Sequence, residues 1–264
     1  AANMLKMRVY MAMNEWDKAI AAGELVTGYS LPEDVTLIYK APYFSQESIF
    51  SLPMADTNIP NTQQSLAEYY YDGKIMLIDT KSGIMSKPDY SLATDKRIIA
   101  FKGEKDLLMK FTDAKTKLQW VPIFRYAETL LNYAEAMNEL GGPDYTSDAD
   151  ELPMSARTAL NMVRSAANMP NITDNGDDFT TRLRNERRIE LAFEDHRFWD
   201  IRRWMIGDVV KDIYGVKITK KGSKYSYTPV KIQTRVWEEK MNLYPIAQSE
   251  IYKNGNLTQN DGWE

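Results

Sequence analysis

The chain has 264 residues, 44% apolar and 27% charged, enough to build a sizeable packed core and remain soluble. Its 33 Lys and Arg face 37 Asp and Glu for a net charge of −4, and no basic run interleaved with aromatics occurs, which argues against nucleic-acid binding. Cysteine is absent, which excludes disulfides, thiolate metal sites and cysteine nucleophiles, and a single histidine, His196, leaves too few soft ligands for a zinc site.

No stretch approaches the ~18 apolar residues of a membrane span, and no secretory signal opens the chain. Ala2, Leu5, Val9 and Ala12 recur at helical spacing, predicting a helix over 1–13 that buries that stripe. A chain opening inside a helix is expected to be a portion of a longer one. Asn14-Glu15 breaks the pattern. A second helix carries Trp16, Ala19, Ile20, Gly23 and Val26 on one side and ends at Gly28. Two helices joined this tightly form an αα-hairpin, and residues 14–20 look like the centre of a tetratricopeptide repeat.

Residues 29–122 are punctuated by Pro32, Pro42, Pro53, Pro60 and Pro88 and by Gly73, Gly83 and Gly103. They read as irregular, with short strand-like pieces at Ser48–Leu52 and Lys74–Asp79. So long a stretch without regular structure points to function. Helices resume at Phe124, with Ala127, Leu130, Leu131, Ala134 and Met137 as one stripe and Gly141-Gly142 as the stop. Ser155–Ala167 forms the next, burying Ala156, Leu160, Val163 and Ala167 ahead of Pro170. A longer helix is predicted from about Phe179 to Met205. Its apolar residues point all ways, so it is expected to be largely buried and its charges paired. Val216, Ile218, Tyr225 and Tyr227 alternate about Lys221-Gly222, a β-hairpin signal. The tail from Lys240 is polar and turn-rich.

Four motifs carry a family resemblance. Residues 184–204, from Arg184-Asn185-Glu186-Arg187-Arg188 through His196-Arg197-Phe198-Trp199-Asp200, closely resemble the hallmark of the SusD/RagB family. So do Val121–Ala136, the helix around Ala159–Arg164, and the tail Tyr244–Ile251 with Asn256–Asn260. Asp195 stands where the family often has glycine, and Asp261 and Trp263 replace a common proline and tyrosine.

The resemblance implies the C-terminal portion of a SusD-like protein. Its fold would be mainly α, with tetratricopeptide-like helical pairs, a long irregular region and small β-hairpins. It divides as a helix pair over 1–28, an irregular ligand-binding region over 29–122 and a helical C-terminal region over 123–264. The implied function is non-catalytic capture of oligosaccharides or polysaccharides and their delivery to a SusC-like TonB-dependent transporter. The implied location is the outer-membrane surface, through a lipid anchor that this chain lacks. No cofactor, metal or nucleic acid is expected. A tetratricopeptide scaffold, a binder of another nutrient such as peptide, and a glycoside hydrolase are the competing readings.

Sugar rings offer a C–H face to an aromatic ring and hydroxyls to neighbouring polar groups. The candidate ligand-binding residues are therefore Tyr69, Tyr70, Tyr71, Tyr90 and Trp120, all in the irregular region, although tyrosines there can equally pack loops onto helices. Glu186, Glu190, Glu194 and Asp200 offer carboxylates for acid–base chemistry, but a structural role fits their setting better. Arg187, Arg188, Glu190, Glu194, Arg197, Asp200 and Arg203 are expected to form an ion-pair network tying the helix to its neighbours. His196 is expected to be structural. The acidic loop with Asp144, Asp148, Asp150 and Glu151 reads as a solvated linker.

Overall fold

A computed structural model describes residues 1–40, 45–54, 94–97, 110, 119–146 and 154–264. Among the described residues the protein is mainly helical with two small antiparallel sheets, as the resemblance implied. It divides into two compact units, which meet in sequence between Glu194 and Asp195.

The first unit opens with α1 (Ala2–Ala12) and α2 (Trp16–Glu24). Asn14 turns the chain between them at φ 56°, a left-handed conformation that asparagine tolerates. The α2 stripe is the expected one: Ala19, Ile20, Gly23 and the following Val26 are buried. The α1 stripe is not. Leu5 and Val9 are 55% and 47% exposed, and Met4, Met7 and Met11 form the buried face. Both faces are apolar and correctly spaced. The methionines win because the interface is close: a Cβ on Gly23 would sit 2.7 Å from Met7 Cε. A flexible thioether fills such a gap where branched side chains cannot.

Strand β1 (Ser48–Met54) pairs antiparallel with β2 (Gln119–Arg125), bringing Ser48 opposite Arg125 and Pro53 opposite Trp120. Pro53 and Pro122 are tolerated because each strand of a two-stranded sheet is an edge. A four-residue helix, α3 (Leu37–Lys40), precedes them. Phe124 therefore belongs to a strand, and α4 runs over Tyr126–Gly141. The chain stops at Gly142, whose φ of 90° suits only glycine. Helix α4 is the central element: Leu130, Leu131, Ala134 and Met137 are at most 1% exposed, and Glu128, Thr129, Asn132 and Glu135 are buried as well. It packs against α2 on one side and against α5 (Ala156–Ala166) and α6 (Gly176–Glu190) on the others. Ser155 caps α5 by accepting from the Thr158 amide at 3.2 Å. Asp177 and Asp178 begin α6 and Arg187 and Arg188 end it, each favourable to the helix dipole.

The long helix expected over 179–205 is two helices. It breaks after Glu190 and resumes as α7 (Arg197–Arg203). Phe193 and Asp195 turn the chain at φ 65° and 67°. A glycine at position 195 would adopt this conformation without strain.

The second unit, residues 195–264, contains α7 and the expected hairpin, β3 (Asp212–Lys221) and β4 (Lys224–Thr234), with Gly222 at φ 63° in the turn. A 3-10 turn (Glu239–Asn242) and α8 (Gln248–Lys253) follow. Two parts of the tail are stitched together by amides. Gln259 donates to the Ile246 carbonyl at 2.9 Å and accepts from its amide at 2.7 Å, and Asn260 donates to the Tyr244 carbonyl.

Candidate functional site

Beneath the start of α4 lies a buried ionic lattice. Arg125, the last residue of β2, uses all five of its N–H donors. Nε and one Nη grip Glu194 at 2.7 and 2.9 Å. The remaining donors reach Glu47 at 2.7 Å, the Glu190 carboxylate at 2.5 Å and the Glu190 carbonyl at 2.6 Å. Lys110 meets Glu194 at 2.6 Å, and the Tyr39 hydroxyl donates to the same carboxylate at 2.9 Å. On the other side, Arg97 forks onto Asp95 at 2.9 and 3.0 Å and bridges Glu186 at 2.6 Å to Glu190 at 2.7 Å. Arg164 then joins Glu186 at 2.7 Å.

Forked bonds of this kind satisfy both partners in planar geometry. Burial would raise both α6-side carboxyls, but Arg125 and Arg97 hold Glu190 at about 2, and Arg125 and Lys110 hold Glu194 at about 2. Burial pushes Glu47 up, and Arg125 only partly offsets it. Burial also lowers Lys110 in spite of Glu194. Burial opposes the charge on Arg125, yet Glu194, Tyr39, Glu190 and Glu47 lift its pKa well above the ordinary value. Among the described residues, this lattice sets Arg97, Lys110, Arg125 and Arg164 against Glu47, Asp95, Glu186, Glu190 and Glu194. Its carboxylates are buried or nearly so, the Glu190 side chain being 13% exposed.

The lattice positions a groove. The Glu47 carbonyl accepts from the Tyr126 amide at 3.1 Å, and its carboxylate accepts from the Ala127 amide at 3.3 Å. Tyr126 is thereby fixed at the first turn of α4. Its ring stacks on Tyr29 with centroids 6.4 Å apart and planes 29° from parallel. Across from this pair lies one face of α5, with Asn161, Met162 and Ser165, and then Asn171 beyond its end. The volume of this open groove is about 590 Å³.

A family model, that of the SusD family, matches residues 46–263. The chain belongs to the SusD family. Starch-binding protein SusD of Bacteroides thetaiotaomicron is 26% identical over 250 residues, 84% of this chain and 40% of that protein. A SusD-like protein of Formosa agariphila is 41% identical over 85 residues, 31% of this chain and 16% of that one. The crystal structure of a SusD superfamily protein from Bacteroides fragilis matches with a TM-score of 0.66 at 64% identity, covering 86% of this chain and 50% of that one. Surface glycan-binding protein A of Bacteroides thetaiotaomicron, solved in complex with laminarihexaose, shares the fold with a TM-score of 0.60 at 20% identity, over 98% of this chain and 62% of that one. The chain thus spans 40% of the starch-binding SusD relative and half of the B. fragilis structure.

Of the residues that sequence reasoning singled out, Tyr69, Tyr70, Tyr71 and Tyr90 lie outside the described residues. Trp120 sits in β2, partly buried. Glu190 and Glu194 lie in the lattice. Arg187 donates to Asn132 at 2.8 Å, and Arg203 pairs with Asp200 of its own helix at 2.9 Å. Arg188 and Arg197 are also engaged. The expected network omitted Arg97, Lys110, Arg125, Arg164, Glu47, Asp95 and Glu186. Only Arg125 left a signal in the sequence, as an isolated charge between the apolar run Val121–Phe124 and the apolar stripe of α4. Asp144 is exposed and is held by the Arg157 fork at 2.6 and 2.8 Å, while Asp148, Asp150 and Glu151 lie outside the described residues.

Proposed function

We propose that this chain belongs to a non-catalytic, cell-surface glycan-binding protein that captures oligosaccharides or polysaccharides and delivers them to a SusC-like TonB-dependent transporter in the outer membrane. The observation that carries the reading is SusD-family membership across residues 46–263, together with a starch-binding relative aligned over 84% of this chain. The lattice supports the absence of catalysis. A glycosidase needs a carboxylic acid kept protonated near neutrality beside an open cleft. Glu190 and Glu194 are instead ionised, buried and bonded to Arg125. The irregular region, with Tyr69, Tyr70, Tyr71, Tyr90 and Trp120, remains the proposed seat of direct ligand contacts.

The test is migration of the full chain through native gels containing amylopectin or laminarin, with product analysis of the same mixtures. Retardation without shortened chains is the expected result. Release of reducing ends would overturn the non-catalytic reading. Unretarded migration in every glycan tried would leave a protein-only scaffold. Replacing Tyr69, Tyr70 and Tyr71 together by Ala is expected to weaken retardation at unchanged melting temperature.

A further inference from the structure

We propose that the groove between Tyr29–Tyr126 and α5 is a carbohydrate subsite for a short stretch of neutral glycan. This inference rests on the glycan-binding reading above and assigns it a place.

Size comes first. About 590 Å³ falls among small-ligand sites, which run to roughly 300–1,000 Å³. Its walls suit a sugar. Tyr29 and Tyr126 are half-buried and stacked, so they present a pre-set apolar face without losing rotamer freedom on binding. Met162 is 39% exposed and extends that apolar surface from the opposite wall.

Polar groups at the rim sort into committed and available. Asn161 is committed: it donates to the Ile172 carbonyl at 3.2 Å and accepts from the Ile172 amide at 2.7 Å. Arg157 is committed too. Its donors go to Asp144, to the carbonyls of Ile172 and Asp174, and to the Asn175 side chain. Among the described residues, the hydroxyls of Tyr29 and Tyr126 and the amide nitrogen of Asn171 have no partner. Burial raises the Tyr126 pKa, so its hydroxyl stays a donor at any physiological pH.

The charge pattern selects the ligand class. The guanidinium of Arg157 is neutralised by Asp144 and has no donor left for a uronate or a sulfate. Among the described residues, no carboxylate lines the groove to attract a cation or to cleave a glycosidic bond. An apolar stacked pair, rimmed by uncharged donors with no free charge, fits the C–H face and hydroxyl edge of a neutral hexose chain.

The test compares the intact chain with Tyr29→Ala, Tyr126→Ala and Met162→Trp in amylopectin and laminarin gels. Met162→Trp fills the groove from an exposed position, so it blocks the site without removing packing beneath. Loss of one stacking ring, or its occlusion, is expected to weaken retention about tenfold, with melting temperatures checked for each variant. Tyr126→Phe should weaken it less than Tyr126→Ala. If the wild-type chain is retained and Met162→Trp is retained equally, the groove is not a subsite, although glycan binding stands. If the wild-type chain is retained by neither glycan, both readings fall together.

Discussion

Arg125 joins distant parts of the chain, because three carboxylates from two segments depend on its five donors. Removing one partner of a buried charge cluster leaves the others desolvated and unpaired. Arg125→Met is therefore expected to lower unfolding stability in urea by about 3–5 kcal/mol. Arg125→Lys should fall between it and the wild type, since an ammonium keeps the charge but cannot grip Glu194 with a fork. Equal stabilities for Arg125→Met and wild type would remove the lattice from the account. Acid sensitivity follows from the same residues. Glu190 and Glu194 sit at about 2 in the folded chain against 4.5 ordinarily. As the solution is acidified, the unfolded chain takes up these protons first. The stabilisation is complete above about pH 4.5 and is lost as pH falls toward 2. Glu47, whose carboxyl is raised, works in the opposite direction and offsets part of the loss. Melting curves between neutral pH and about pH 3 should thus slope steeply for wild type. Glu194→Gln should be less stable at pH 7 and flatter below it.

At the level of elements, the break between α6 and α7 places Glu190 and Glu194 where one straight helix would not. Glu190 ends a helix, while Glu194 lies on the turn that follows. Asp195 holds this turn at φ 67°, a conformation strained for a residue with a Cβ. Asp195→Gly is expected to raise stability by up to about 1 kcal/mol, the relief of strain exceeding the added freedom of the unfolded chain, whereas Asp195→Val should lower it. Differential scanning calorimetry of the pair reads both signs. Ser155→Ala, which deletes the α5 cap, should cost about 1 kcal/mol by the same measurement. These elements also show what the sequence could reveal. The stripes of α2, α4 and α5 were legible because each has one apolar face and a polar opposite. Helix α1 misled because Leu5 and Val9 repeat as regularly as Met4, Met7 and Met11, and only the close approach of Gly23 decides between them. The helix break was hidden because Phe193-Glu194-Asp195 holds neither glycine nor proline. Strand β2 was hidden because its partner lies some seventy residues earlier and pairing leaves no local signal. The same non-locality concealed the lattice: Arg97 reaches α6, Lys110 reaches Glu194 on the turn after it, and Glu47 reaches Arg125, through the fold alone. Tyr29 and Tyr126, nearly a hundred residues apart, meet only once α2 packs on α4.

Over the whole molecule, basic and acidic side chains come close to balance. The 33 basic and 37 acidic side chains leave a net charge of −4, and several of the buried ones pair with one another within the lattice. Where the groove opens, Arg157 is already neutralised by Asp144. Attraction between exposed charges falls off over a Debye length of about 10 Å at 0.1 M salt and about 3 Å at 1 M, whereas stacking and neutral hydrogen bonds are little affected. A protein that gripped acidic polysaccharides through basic side chains would lose affinity steeply across that range. The groove proposed as a subsite offers rings, hydroxyls and amides, so retention in amylopectin gels is expected to stay within about twofold between roughly 0.01 M and 1 M salt. The melting temperature should be similarly level, because buried pairs are screened far less than exposed ones. Affinity electrophoresis and thermal melts over a salt series measure both. A loss of retention exceeding about tenfold at an unchanged melting temperature would point to an anionic ligand held by exposed cations, and would displace the neutral glycan.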